Sequence, residues 1–131
     1  METKPDMSRA DSSALAEEIV RILYQKGASD IRLYRVKDES SITDYQLIAT
    51  GRSSTHVKSL ADELDFEMSE RGVEAHGVEG KAGGSWILLD YITVIVHIFD
   101  TASREFYRLE RLQKPEHLVD IAHVIDSAKL N

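Results

Sequence analysis

The stretch Ser85-Trp-Ile-Leu-Leu-Asp-Tyr-Ile-Thr-Val-Ile-Val-His-Ile-Phe99 decides the fold. It divides into two runs, residues 85–91 and 93–99, both rich in branched and aromatic side chains. Runs this short and this apolar read as central strands of a sheet, covered on both faces. Neither approaches the roughly 18 apolar residues that a membrane span needs.

Upstream of the decisive stretch lie a Gly-rich turn at 80–84 and a run at 73–78 that reads as a strand. Before these comes the clearest helix. Ser53 or Ser54 caps it, Val57, Leu60, Ala61, Leu64 and Met68 form one apolar stripe, and Gly72 closes it. Residues 44–50 and 30–36 read as two further strands. A first helix over 13–26, with Leu15, Ile19, Ile22 and Leu23 at helical spacing, stops at Gly27. Downstream, a helix over 102–113 ends at Pro115, with Ala102, Phe106, Leu109 and Leu112 inward and Arg104, Arg108 and Arg111 on the other face. A last helix over 116–128 carries Leu118, Ile121, Val124 and Ile125. The order α-β-β-α-β-β-β-α-α implies an α/β fold, a mixed sheet of about five strands flanked by helices. Residues 1–12 read as a mobile tail, 13–113 as the α/β domain and 114–131 as a helical extension.

Length and composition agree with one domain: 131 residues, 42% hydrophobic and 30% charged. With no cysteine, neither a disulfide nor a thiolate metal site nor a cysteine nucleophile is available. The N-terminus has no apolar block resembling a secretory signal, so a cytoplasmic location and no membrane contact are expected. Net charge is −7, from 23 acidic against 16 basic residues. That balance disfavours extensive nucleic-acid contact and suits a basic protein partner.

Catalytic readings fail on spacing. The turn Thr50-Gly-Arg-Ser-Ser-Thr-His56 joins a strand to a helix N-terminus, where anions can bind, but it has neither P-loop nor dinucleotide spacing. Gly51 permitting the turn and a serine capping the helix account for it. Two-metal nucleotidyl transfer needs paired carboxylates on one strand face. Asp90 has Leu88 and Ile92 at the positions that share its face, and Asp100 lies at the far end of the next run. The histidines His56, His76, His97, His117 and His123 form no helical metal pair, although His76 and His97 could meet on neighbouring strands. No cofactor or metal is called for, and the chain reads as a non-enzyme.

Binding fits better. Trp86, Leu88 and Asp90 share one strand face by alternation, a composition common in binding hot spots; a core position for Trp86 fits equally well. The Arg104/Arg108/Arg111 face with Tyr107 suits an acidic patch or a plain solvated face. Phe66, opposite the apolar stripe of its helix, is either an exposed contact or a sign of cover on two sides.

Six segments in order are Ser41-Ile-Thr-Asp-Tyr45, Ala49-Thr-Gly-Arg-Ser-Ser-Thr-His-Val57, Val78-Glu-Gly80, Trp86-Ile-Leu-Leu-Asp-Tyr91, Val94-Ile-Val-His97 and Arg104-Glu-Phe-Tyr-Arg-Leu-Glu110. Together they resemble the ribosomal silencing factor family, also called Iojap, over residues 40–112. The resemblance implies a nucleotidyltransferase-like sheet without catalytic carboxylates. It also implies binding to the large ribosomal subunit through that subunit's fourteenth protein, where the small subunit docks. Steric exclusion would then lower translation, and the family resemblance adds a homodimer off the ribosome. Carried over by position, it makes Trp86, Leu88, Asp90 and Tyr91 the first contact residues and Arg104, Tyr107 and Arg111 the second. Two departures stand out. Ile92-Thr93 replaces the family's Gly-Asp, so a differently shaped connection is expected, and Gln113 stands where a Trp commonly follows. The tail from Lys114 lies outside the shared pattern. A degenerate nucleotide-binding protein and a large-subunit assembly factor are the alternatives.

Overall fold

The structure, a computed structural model, describes residues 4–130. Residues 1–3 of the expected tail, and Asn131, lie outside the described residues. From Lys4 on, the tail lies against a helix: Met7 N–H donates to the Arg71 carbonyl, and Lys4 pairs with Glu67.

In chain order the elements are α1 (Ser12–Gln25), β1 (Ser29–Arg35), β2 (Tyr45–Gly51), α2 (Ser54–Glu70), β3 (Gly77–Glu79), β4 (Trp86–Asp90), β5 (Val94–Asp100), α3 (Thr101–Tyr107) and α4 (Ala122–Lys129). Local chemistry sets the helix ends. The Asp11 carboxylate accepts from Ala14 N–H at 2.8 Å, and Ser53 Oγ accepts from His56 N–H at 3.1 Å. Gly27 and Gly72 follow α1 and α2 with φ of +94° and +80°, the left-handed geometry that stops a helix.

The five strands form one sheet in the order β1-β2-β5-β4-β3. Only β2 and β5 run parallel, from Tyr45 against Val94 to Gly51 against Asp100; the other pairs are antiparallel. A parallel pair needs a crossover, and the chain from α2 to β4 supplies it. Leu33, Leu47, Ala49, Ile87, Leu89, Val94, Val96 and Ile98 line one sheet face. Against them pack Leu15, Ile19 and Leu23 of α1 and Val57, Leu60, Leu64 and Met68 of α2, all buried. Each such side chain contributes about 1.5–3 kcal/mol.

The opposite face is different. Every residue of β5 from Val94 to Phe99 is buried, but β4 alternates half-buried with buried. Cover on both faces therefore holds for β5 and fails for β4. Of the run at 73–78, only Gly77 and Val78 join the sheet, with Glu79 completing β3.

The expected last helix is also divided. A 3₁₀ turn over Pro115–His117 precedes an extended link, where Val119 N–H donates to the Leu33 carbonyl at 2.8 Å and Leu118 bridges Tyr34. The link covers the outer edge of β1, which would otherwise present free backbone groups. Strand pairing there competes with helix, so Leu118 is 48% exposed rather than inward. Val124 and Ala128 of α4 are buried beside α1.

A charged clamp joins α1 to the end of α2. Arg71 Nε donates to Glu18 Oε2 at 2.7 Å and its Nη1 to Glu67 Oε1 at 2.9 Å, while Arg21 holds the other Glu18 oxygen. Glu18 and Arg71 are each 9% exposed, so removing one partner strands the other's charge. Glu18→Gln is expected to cost about 1–3 kcal/mol, read as a lower urea midpoint at unchanged slope. Asp38→Asn, which breaks an exposed pair with Arg35, is expected to change stability by less than about 0.5 kcal/mol.

Candidate partner-binding face

On the side of the sheet away from α1 and α2, the register sets Trp86 beside Phe99, Leu88 beside His97 beside Ile48, and Asp90 beside Ile95 beside Gln46. Trp86, Leu88 and Asp90 are half-buried along the β4 side of this face. Asp90 has Ile95 and Gly77 as its ladder neighbours, so no carboxylate lies directly across from it.

A hydrogen-bonded relay crosses three strands. The Trp86 indole N–H donates to His97 Nδ1 at 3.2 Å, and His97 Nε2 lies 2.8 Å from Gln46 Oε1. An indole only donates, so Nδ1 must accept and the imidazole proton sits on Nε2, pointing at Gln46. The ring is then neutral, and burial pushes the His97 pKa down to about 4. A second proton would set an N–H on Nδ1 against the Trp86 N–H. Both ring nitrogens being engaged, His97 does not pair with His76, which is exposed ahead of β3.

Aromatic packing holds Trp86 from the other side. Its ring stacks on Phe99 at 4.9 Å between centroids and meets Tyr107 at 4.9 Å, and Phe106 stands edge-on to Tyr107 at 5.0 Å. A cavity of about 260 Å³ beside Trp86 is lined by Glu79, Gly80, Trp86 and Leu88. Gly80 has φ +88°, and a Cβ there would come within 2.1 Å of the Trp86 carbonyl oxygen. Only glycine fits that approach.

The third helix is shorter than expected and faces the other way. It stops at Tyr107, because Arg108 turns left-handed at φ +47°, and a 3₁₀ turn follows over Leu109–Leu112. Arg104, expected on the outer face, is 6% exposed. Its guanidinium donates to the Asp30 carbonyl and to Thr50 Oγ1 at 2.8 Å, and pairs with Glu110 at 3.3 Å. These partners offset part of the burial of its charge; Nη2 lies 3.5 Å from Asp30 Oδ2 and has no hydrogen-bond partner among the described residues. Phe106 and Leu112, expected inward, are each 79% exposed, and Ala102 is exposed. Of that stripe, Leu109 alone packs inward.

The expected contact residues thus divide. Trp86, Leu88, Asp90, Tyr107 (52% exposed) and exposed Arg111 are accessible. Tyr91 and Arg104 are not. Tyr91 follows the inward alternation of Ile87 and Leu89, is 4% exposed, and has no hydrogen-bond partner for its hydroxyl among the described residues. Burial raises its pKa. Phe66 is 61% exposed on α2, the helix that packs on the opposite sheet face. The Thr50–His56 turn is internally tied: His56 accepts from Arg52 N–H at 2.9 Å and contacts the Lys26 carbonyl at 3.2 Å, and a Cβ on Gly51 would lie 2.9 Å from Val57.

Sequence reading missed His97 and Gln46 as supports for Trp86, and Phe106 and Leu112 as surface. Alternation and register together identify the first two, since His97 and Gln46 fall on the Trp86 side. The inward expectation for Leu112 takes the helix as continuous past Arg108, and that for Phe106 places Arg104 on the outer face.

Two measurements check this geometry. The His97 pKa is lower folded than its ordinary 6.5, so its contribution is complete above about pH 6.5 and is lost as pH falls toward 4. Over that interval wild-type stability is expected to fall by about 3 kcal/mol more than that of His97→Gln, measured by urea denaturation across pH. Tyr91→Phe deletes an unpartnered hydroxyl, so it is expected to leave stability within about 1 kcal/mol or raise it.

The chain matches the family model described as ribosomal silencing factor during starvation over residues 9–130. The match runs past Lys114, so the C-terminal segment belongs to the shared pattern after all. The chain is 41% identical over 99 residues to the ribosomal silencing factor RsfS of Haemophilus influenzae, covering 76% of this chain and 97% of that protein. It is 29% identical over 97 residues to a mouse protein named for mitochondrial assembly of the ribosomal large subunit, covering 72% of this chain and 42% of the relative. A Chromobacterium violaceum protein of known crystal structure superposes with a TM-score of 0.75 at 30% identity, covering 86% of this chain and 96% of that one. On sequence and fold alike, the chain belongs to the ribosomal silencing factor family.

Proposed function

We propose that this protein represses translation by docking the Trp86–Leu88–Asp90 face onto the large ribosomal subunit, through that subunit's fourteenth protein. Seated where the small subunit must dock, it blocks subunit joining by steric overlap. No bond is made or broken, no cofactor takes part, and the site of action is the cytoplasm. One observation carries this reading: an open sheet face that presents a half-buried tryptophan, braced by His97, Phe99 and Tyr107, with Leu88 and Asp90 following it along the same strand face. Braced aromatics beside charge are efficient anchors, because little side-chain entropy is lost on binding. The net charge of −7 favours encounter with basic proteins. Off the ribosome, a homodimer would shield the exposed Phe106 and Leu112.

The name of the mouse relative supports a second reading, assistance in large-subunit assembly through the same face. Deleting the gene separates the two. Accumulated large-subunit precursors indicate assembly; normal subunits that join more readily indicate repression.

Sucrose-gradient co-sedimentation with purified large subunits tests the docking. Trp86→Ala is expected to weaken binding about 30-fold, the loss of a hot-spot side chain. Leu88→Glu should do the same, and Tyr91→Phe should bind like wild type. A wild-type protein that stays at the top of the gradient at moderate salt contradicts the proposal.

A further inference from the structure

Ile92 adopts φ +70°, the left-handed region that L-residues avoid and that β-branched side chains fit worst. It sits at the tip of the β4–β5 connection, where Tyr91 N–H donates to the Val94 carbonyl at 2.9 Å and Thr93 N–H to the Tyr91 carbonyl at 2.8 Å. Glycine or asparagine would take this position with less strain. Nor does packing compensate, because the Ile92 side chain is 62% exposed. The isolated monomer therefore gains nothing visible from isoleucine here. Backbone strain retained under an exposed apolar side chain points to a role outside the monomer.

The surroundings say which role. Ile92 N–H donates to Asp90 Oδ1 at 2.7 Å, so the turn continues directly from the last residue of the open face. Asp44 and Tyr45 N–H both donate to the Thr93 carbonyl, at 3.1 and 3.0 Å, which holds the 41–44 segment against the same turn. That segment carries Ile42, 81% exposed. Two exposed isoleucines thus stand at the Asp90 end, each two residues in sequence from a half-buried aspartate, Asp44 or Asp90. At the opposite end Arg108 and Arg111 line a pocket together with Asp30, Glu105 and Glu110, so that end is of mixed charge.

Resting on the docking reading given above, we infer that Ile92 is a specificity-determining contact residue that extends the docking surface past Asp90 to Ile42. The occupant that fits this end is a protein surface with an apolar patch bordered by lysine or arginine, as on a large-subunit ribosomal protein. Nucleic acid does not fit, because its phosphates would face Asp44 and Asp90.

The test measures melting temperature and large-subunit co-sedimentation on the same full-length variants. Ile92→Gly is expected to raise Tm by about 3 °C through relief of strain, yet to weaken binding about fivefold or more. Ile42→Ser is expected to weaken binding similarly with Tm unchanged. The inference is overturned if Ile92→Gly binds like wild type, or if its Tm falls, which would make the side chain a support of the fold. If wild type itself fails to bind, the docking reading has failed and this inference goes with it. The Tm of Ile92→Gly still reports the strain, so the two failures are distinguishable.

Discussion

The parallel pairing of β2 with β5 is the constraint from which the rest follows. Two parallel neighbours cannot be joined by a hairpin, so the chain must leave the sheet after Gly51 and return before Val94. It returns over one face, with α2 as the crossover helix, and α1 packs beside α2 on that face. The apolar alternation of β2, β4 and β5 is satisfied there. The other face is left to α3 and its 3₁₀ extension, which reach β5 and β2 but leave the β4 side half-open. The open face is the geometric remainder of where the helices pack.

That remainder is not left loose. The Trp86–His97–Gln46 relay runs across β4, β5 and β2, so the anchor is fixed to the strand at the sheet's centre. Only the neutral imidazole with its proton on Nε2 satisfies both ends, and burial enforces that form over the physiological range. Below, Gly80 lets the neighbouring turn approach the Trp86 backbone. A tryptophan held from three sides is already ordered for any partner. A free one would have to be ordered first.

Much of this was legible in the residues. The stripe of α2, the glycines after both long helices and the β-rich runs around Ile92 are local signals, and the elements they imply form. Alternation along Trp86, Leu88 and Asp90 placed them on one face, and the same alternation, followed one step further, puts Tyr91 inside. What could not be read locally depends on distant partners. Arg104 looks like an exposed arginine until Asp30, Thr50 and Glu110 are brought to it by the fold. Once it turns inward, Phe106 must turn outward. The 118–120 link likewise forms a strand-like contact only because β1 offers a free edge. The proposed docking partner rests on the family resemblance and not on periodicity.

We propose that the β4 side of the open face, and not the helical side, meets the large subunit. Site-specific photo-cross-linking addresses it directly, with a photoreactive amino acid at Leu88 in one protein and at Phe66 in another. Leu88 is half-buried on the open face, and Phe66 is exposed on α2. The expected result is a single cross-link from position 88 to one large-subunit ribosomal protein, the fourteenth, and none from position 66. Cross-linking from position 66 with silence at 88 would contradict the account.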